Sequence, residues 1–401
     1  MAWNGFLIGK TSMEIKKVDT PALANVFLEM PLMLYTSDKQ YIRPLDVDIE
    51  AVFDAEKNAL FKTGDCARWL LFDEQKRAIG RIAAFYDTAS MQSYAQPIGG
   101  CGFFECIDHE EAAFLLFDQA KEWLMNYGLT AMDGPINFGS RERWWGLLVE
   151  GFVPPCYCSN YNPPYYQRLF EAYGFQVYFK QYTYRRLMDE PIDERYAAKA
   201  ARILENRGYR FAYVGRNKLS EAAQQFREVY NRAWVNHDGV TEMTREDADK
   251  LMKNLKPIVD PIGLWFAYFE EKPIGFFISI PDVNQLLVKY VRGKIGWKGL
   301  IVLLWNKWFR RCRTLFGIVF GIVPEHQRKG VEVAMIMQAA QIFIKKREKT
   351  GYEELQMNWI GDFNPKMMNL ARQIGATIYK THHTYRYLFD RNQPFERHPM
   401  L

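Results

Sequence analysis

The stretch VPEHQRKGVEVA (323–334) puts a glycine at the bend between an apolar, β-rich run (315–323) and a helical pattern. Gln327, Arg328 and Lys329 precede Gly330, and Val331, Glu332 and Val333 open the helix. A strand that feeds a helix through a turn aims unpaired backbone N–H groups, and the positive end of the helix dipole, at whatever sits before the helix. Gly330 permits close backbone approach, and Arg328 and Lys329 supply charge that a pyrophosphate rewards. The plainer alternative is a basic turn whose glycine caps a helix. Glu332 separates the two readings: turned inward it repels phosphate, and turned outward it only supports the helix N-terminus.

Other chemistries find less support. The six cysteines (Cys66, Cys101, Cys106, Cys156, Cys158, Cys312) show no CxxC spacing and read as ordinary buried thiols of a reducing cytosol. The six histidines are scattered, without spacing that would hold zinc, so no metal is expected. With 401 residues and 48% apolar composition the chain suits two folded domains. No apolar run approaches the roughly 20 residues of a membrane span, and MAWNGFLIGKTS lacks the layout of a signal peptide. A cytoplasmic protein is expected. The net charge of +5 hides an asymmetry, because residues 1–192 carry 18 Lys/Arg against 25 Asp/Glu and the remainder 34 against 22. An anionic ligand therefore favours the second half.

The chain also repeats itself. ARWLLFDEQKRAIGRIAAFYD (67–87) parallels GLWFAYFEEKPIGFFISIPD (263–282), each an aromatic-rich strand, an acidic turn and a second strand opening on Ile-Gly. NPPYYQRLFEAYGFQVYFKQYTYRR (162–186) parallels NPKMMNLARQIGATIYKTHHTYRY (364–387), each an Asn-Pro helix, a glycine break and a strand ending in Thr-Tyr-Arg. The offsets of about 195 and 201 nearly agree, which marks a duplication. The pattern predicts an α/β fold with mixed sheets and two domains, 1–190 and 191–401.

IVPEHQRKGVE, with the hairpin before it and the Asn-led helix after it, resembles the acyl-CoA-binding signature of the GNAT N-acetyltransferase superfamily. The resemblance covers the second half and, more weakly, the first, and implies two tandem GNAT-like domains. It implies that the backbone around residues 328–333 holds the CoA pyrophosphate, with Gln327 at the turn. It places Ile322 and Val323 beside the pantetheine arm and Asn364 near the thiol end, with acetyl-CoA or a longer acyl-CoA as cosubstrate. The family's cradle strand often carries a glutamate base, yet 316–322 contains no acid. Its usual tyrosine acid falls here on Ala371. Acyl transfer needs an amine deprotonated and a thiolate reprotonated, and Glu325, His382 and Tyr385 are the substitutes the sequence offers. At the first half's cradle position FFECIDHEEAA (103–113) is acidic, so that half is expected to leave CoA unbound and to shape the acceptor cleft.

Two segments remain. The aromatic loop 134–164 reads equally as a buried lid or as a wall of the acceptor pocket. KYVRGKIGWKGLIVLLWNKWFRRCR (289–313) carries eight basic residues and no acid around GLIVLLW. It reads as a core helix, or as a surface for a membrane's inner face or an acyl chain; nucleic acid fits its apolar centre poorly. The expected activity is transfer of an acyl group from acyl-CoA to an amine held between the halves, a small molecule or a lipid. The alternatives are a tRNA-dependent aminoacyltransferase of tandem-GNAT type and a catalytically degenerate binding pair.

Overall fold

A computed structural model describes residues 12–88, 96–234 and 242–400. The chain divides into two compact units: residues 1–181, 292–294 and 380–399 form unit 1, and residues 182–291, 295–379 and 400–401 form unit 2.

In unit 1, β1 (Glu14–Lys17), β2 (Gly64–Phe72), β3 (Ala78–Asp87) and β4 (Ile98–Cys106) run antiparallel in that order. β5 (Ala131–Gly134) joins β4 in parallel, but only over residues 98–100 with 131–133. The helices are α1 (Pro21–Glu29), α2 (Asp46–Val52), α3 (Glu110–Asn126) and α4 (Tyr166–Tyr173). Helix α3 follows directly from its sequence. His109 caps its first turn, Glu110 and Glu111 favour the dipole there, and Ala112, Ala113, Leu116, Phe117, Ala120 and Leu124 recur at helical spacing to bury one face. That face enters the main core of the unit, where Phe117 meets Phe170 of α4 and Phe104 of β4.

Unit 2 repeats the plan. β8 (Tyr209–Tyr213), β9 (Leu264–Phe269), β10 (Lys272–Pro281) and β11 (Thr314–Ile322) run antiparallel, and β12 (Glu354–Gly361) joins β11 in parallel over 354–357 with 314–317. Its helices are α5 (Glu194–Glu205), α6 (Leu219–Trp234), α7 (Arg245–Leu255), α8 (Trp297–Trp308), α9 (Val331–Lys345) and α10 (Pro365–Gln373). Thr244 and Asp247 form a capping box at the start of α7.

The closing strands are exchanged between repeats. β7 (Gln176–Leu187) starts in unit 1, and its residues 182–187 belong to unit 2; β13 (Thr377–Leu388) starts in unit 2, and its residues 380–388 belong to unit 1. Within unit 1, β13 pairs with β5 (Tyr385 opposite Gly134) and with β6 (Leu147–Glu150). The shared Thr-Tyr-Arg ending explains the symmetry. In unit 1 Arg386 makes a two-pronged ion pair to Asp133 at 2.6 and 2.9 Å and stacks over Tyr178. In unit 2 the equivalent Arg185 lies 3.9 Å from Glu354 and stacks over Tyr379.

The two pairs differ in burial. The side chains of Arg386 and Asp133 are 10% and 15% exposed, whereas Arg185 is 34% exposed. Removing one member of a buried pair strands the other charge, at a cost of about 3–5 kcal/mol. A partly exposed pair is worth about 1 kcal/mol or less. Arg386→Met is therefore expected to destabilise the protein in urea titrations several times more than Arg185→Met, and equal effects would show that the unit 1 pair is not the stronger anchor.

Candidate active site

The hairpin register places Arg81 of β3 directly opposite Glu105 of β4. Between this pair and the next, Ala83 opposite Gly102, β4 carries one residue more than β3, and Phe103 there has φ of +50°. Such a bulge bends a strand and re-aims the side chains beside it. Gly102 is required at the same spot, because a Cβ would lie 1.8 Å from the Ile136 carbonyl oxygen.

Glu105 is only 8% exposed. Its carboxylate accepts hydrogen bonds from the hydroxyls of Tyr35 at 2.9 Å and Tyr166 at 2.8 Å, and Arg81 lies 3.4 Å from its other oxygen. Tyr166 is itself aimed by the backbone N–H of Cys106, which donates to its hydroxyl at 2.8 Å. Tyr35 is stacked on Tyr41, with ring centroids 3.9 Å apart. Burial raises the carboxyl above its ordinary pKa, against the opposing pull of Arg81 and the two hydroxyls. Burial likewise raises Tyr35, Tyr41 and Tyr166, so these hydroxyls keep their protons at neutral pH.

A cavity of about 60 Å³ opens onto this carboxylate. Its wall includes Tyr41, Ile42, Phe103 and, from the long aromatic loop, Trp144, Asn160 and Tyr161. The arrangement suits a cationic or amine group: one buried anion, proton-bearing hydroxyls and an apolar wall.

The residues singled out from sequence lie elsewhere. Glu325 belongs to unit 2, is exposed and pairs with Arg232 at 3.6 Å. His382 and Tyr385 belong to unit 1. His382 is buried, its Nε2 lies 3.2 Å from the Asn160 carbonyl, and burial pushes its imidazole down to about 4, so it is neutral near pH 7. The Tyr385 hydroxyl donates to Glu171 at 3.0 Å, deep in the core. None of the three lines the cavity beside Glu105.

The basic turn of unit 2 has the expected strand–turn–helix form. Ile322 and Val323 are buried at the strand end, Gln327 donates to the Ile322 carbonyl at 2.8 Å, and Gly330 sits at φ of +99° before α9. Arg328 and Lys329 are exposed, Val331 and Val333 are buried, and Asn364 caps α10 by accepting from the Met367 N–H. Two details bear on a pyrophosphate. The space over Gly330 is taken by Lys199 of α5, 3.3 Å from where a Cβ would stand. Glu332 is turned into the turn, and its carboxylate accepts the Arg328 N–H at 3.0 Å. The counterpart in unit 1 is closed by charge, since Arg168 pairs with both Asp108 and Glu110.

The duplication shows why the two units differ. Gly80 faces Cys106 in unit 1 as Gly275 faces Ile322 in unit 2, so Arg81 and Glu105 correspond to Phe276 and Gly321. The Phe276 ring fills the place of the ion pair, 3.0 Å from where a Gly321 Cβ would stand. Sequence reasoning searched the second repeat for an acid and counted Glu105 only among the acidic residues at the first half's cradle position, although a strand is expected near 101–106. Aligning the two Ile-Gly pairs would have placed Glu105 opposite an arginine.

An antiparallel run closed by a short parallel pair, present twice, has counterparts among solved structures. A tandem GNAT protein from the clavulanic acid biosynthesis pathway superposes with a TM-score of 0.55 at 10% identity, covering 95% of this chain and 100% of that one. The chain has the tandem GNAT fold. A GCN5-related N-acetyltransferase from Sphaerobacter thermophilus gives a TM-score of 0.50 at 11% identity, over 97% of this chain and 98% of that one. Two curated proteins are similar in sequence along nearly their whole length. Bacterial ceramide synthase of Caulobacter vibrioides is 25% identical over 377 residues, 93% of this chain and 97% of that protein. Protein YghO of Escherichia coli (strain K12) is 25% identical over 366 residues, 90% and 91% of the two chains. No protein-family model matches the chain. The strand that leads to the turn carries a glutamate in the first repeat, Glu105, and none in the second.

Glu332 occupies a backbone donor that a phosphate held at this turn would need. Glu332→Ala is expected to tighten CoA binding about tenfold in calorimetric titration, through the freed N–H and the removed repulsion. An unchanged affinity would show that the Arg328 N–H is not a phosphate donor.

Proposed function

We propose that this protein is an acyl-CoA-dependent N-acyltransferase whose acceptor amine enters the cavity of unit 1 and is deprotonated by Glu105. The observation that carries this reading is a buried carboxylate facing an aromatic-walled cavity, held by two tyrosine hydroxyls and an arginine. A base works best with a pKa near the working pH, and burial moves Glu105 in that direction. The tandem GNAT fold supports acyl-CoA as donor. Similarity to a protein named for ceramide synthesis supports a lipid amine as acceptor, since ceramide is an N-acylated long-chain amine.

In the proposed step the amine nitrogen attacks the thioester carbonyl carbon. A C–N bond forms, the C–S bond breaks, and the proton released by nitrogen goes to Glu105. The proton taken up by Glu105 then passes to the departing CoA thiolate, which leaves as the thiol and restores the carboxylate, while Tyr41 at the cavity wall keeps its own proton. Arg81 and the two tyrosines keep the anion available in a site poor in water, where an unpartnered carboxylate would simply hold its proton.

A CoA-independent acyl donor is the second reading, favoured by Glu332 occupying the Arg328 N–H. Wild-type protein that transfers an acyl group while binding no CoA would select it.

Glu105→Gln keeps the shape and the two tyrosine bonds but removes the base. Turnover of acyl-CoA with a long-chain amine is expected to fall about 10²–10⁴-fold, while CoA affinity, measured by calorimetry as the control for folding, stays within a factor of about three. Turnover close to wild type in this variant would reject Glu105 as the base.

A further inference from the structure

Helix α8 stands in the insertion 289–313 and turns its apolar side outward. Trp297, Leu300, Ile301, Leu304, Trp305 and Trp308 are exposed by 75, 61, 55, 59, 54 and 82% respectively. Their spacing of three and four residues gathers them on a single stripe of the helix. The opposite side faces the protein, where Gly299 and Asn306 are buried and the Asn306 amide donates to the Leu286 carbonyl at 2.8 Å. Lys298 and Lys307 fall on the two flanks of the stripe, and Arg310 and Arg311 follow the helix end. A seven-residue apolar run therefore does not serve as core. Six large apolar side chains in one stripe far exceed the scattered exposure of ordinary surfaces.

We propose that this face of α8 docks unit 2 on an anionic bilayer surface, with the stripe among the acyl chains and the cations against lipid phosphates. Charge selects this occupant. The segment has eight Lys and Arg and no acid, which suits a negatively charged lipid surface. A second copy of the chain meeting this face through a twofold axis would set the same cations against each other. Tryptophan at three positions of the stripe also suits the boundary between headgroup and hydrocarbon, where an apolar ring with a polar N–H is at home. The helix lies on the surface and does not cross it: among the described residues no helix is long and apolar enough to span a membrane. Such docking would bring a lipid acceptor and the enzyme to the same surface, but it stands on the helix face alone and does not depend on the proposed chemistry.

Co-sedimentation of the full chain with vesicles tests this. Phosphatidylcholine vesicles containing phosphatidylglycerol are expected to bind at least about tenfold more protein than pure phosphatidylcholine, and added salt is expected to reduce the difference. The double variants Leu304→Glu/Trp305→Glu and Arg310→Glu/Arg311→Glu, each with an unchanged melting profile, are each expected to lower binding about tenfold or more. No binding to the anionic vesicles, or binding that survives Leu304→Glu/Trp305→Glu, would overturn the proposal. So would lipid-free self-association that this same variant abolishes, since that would make the face a contact between copies. Turnover close to wild type in Glu105→Gln, which would reject the proposed base, would leave this result untouched, so the two inferences fail separately.

Discussion

A carboxylate taken out of water must find donors or give up its charge, and the interior of unit 1 is arranged around that requirement. Glu105 receives Tyr35 from the end of the short helical turn 31–34, Tyr166 from the first residue of α4 and Arg81 from the neighbouring strand. Each donor is itself fixed. Tyr35 is stacked on Tyr41, Tyr166 takes the Cys106 N–H, and Arg81 donates to the Phe27 carbonyl while lying over the Phe27 ring. Three separate stretches of chain thus converge on one anion, and the cavity is the space their convergence leaves. The arrangement costs stability compared with an apolar core, and unit 2 shows that apolar alternative in the same fold.

Duplication followed by divergence accounts for the different interiors of the two repeats. The second repeat replaces Arg81 and Glu105 with Phe276 and Gly321, a packing solution that needs no donors. It keeps a basic strand–turn–helix, whereas the first repeat closes its counterpart with Arg168 between Asp108 and Glu110. On the proposed reading, each repeat retains one half of what an acyl transfer needs. The exchanged closing strands, carrying Arg185 and Arg386 to their stacked tyrosines, preserve the common frame while the sites drift apart.

Much of the frame was legible in the residues. Helix 110–126 and helix 245–255 announce themselves through caps and apolar spacing, and the hairpins through alternation about an acidic turn. β6 and β8 were not anticipated, because four or five residues give too little periodicity to detect and their pairing is decided by partners distant in sequence. The exchange of β7 and β13 was likewise hidden, since a local pattern fixes a strand but not its neighbours. The insertion could be read as core or as surface from its sequence, and only the position of Gly299 and Asn306 against the protein shows which side of α8 is outward. Glu105 was visible but read only as one of the acids that close the first cradle; its partners at 35, 81 and 166 are far apart in the chain, and nothing local links them. The inward rotation of Glu332 depends on the Arg328 backbone, with φ of +62°, which composition does not specify.

The central claim, that a buried and hydrogen-bonded Glu105 is the working base, is tested most directly by the pH dependence of kcat/KM in wild type and Tyr35→Phe. The ratio reports the ionisation of the free enzyme. A base with a raised pKa acts only when deprotonated, so activity should fall as pH drops through a midpoint above the ordinary carboxylate range. Losing the Tyr35 hydroxyl removes a donor to the charged form, and the midpoint should move further upward. A profile with no midpoint above the ordinary carboxylate range, or a midpoint unmoved in Tyr35→Phe, would contradict the assignment.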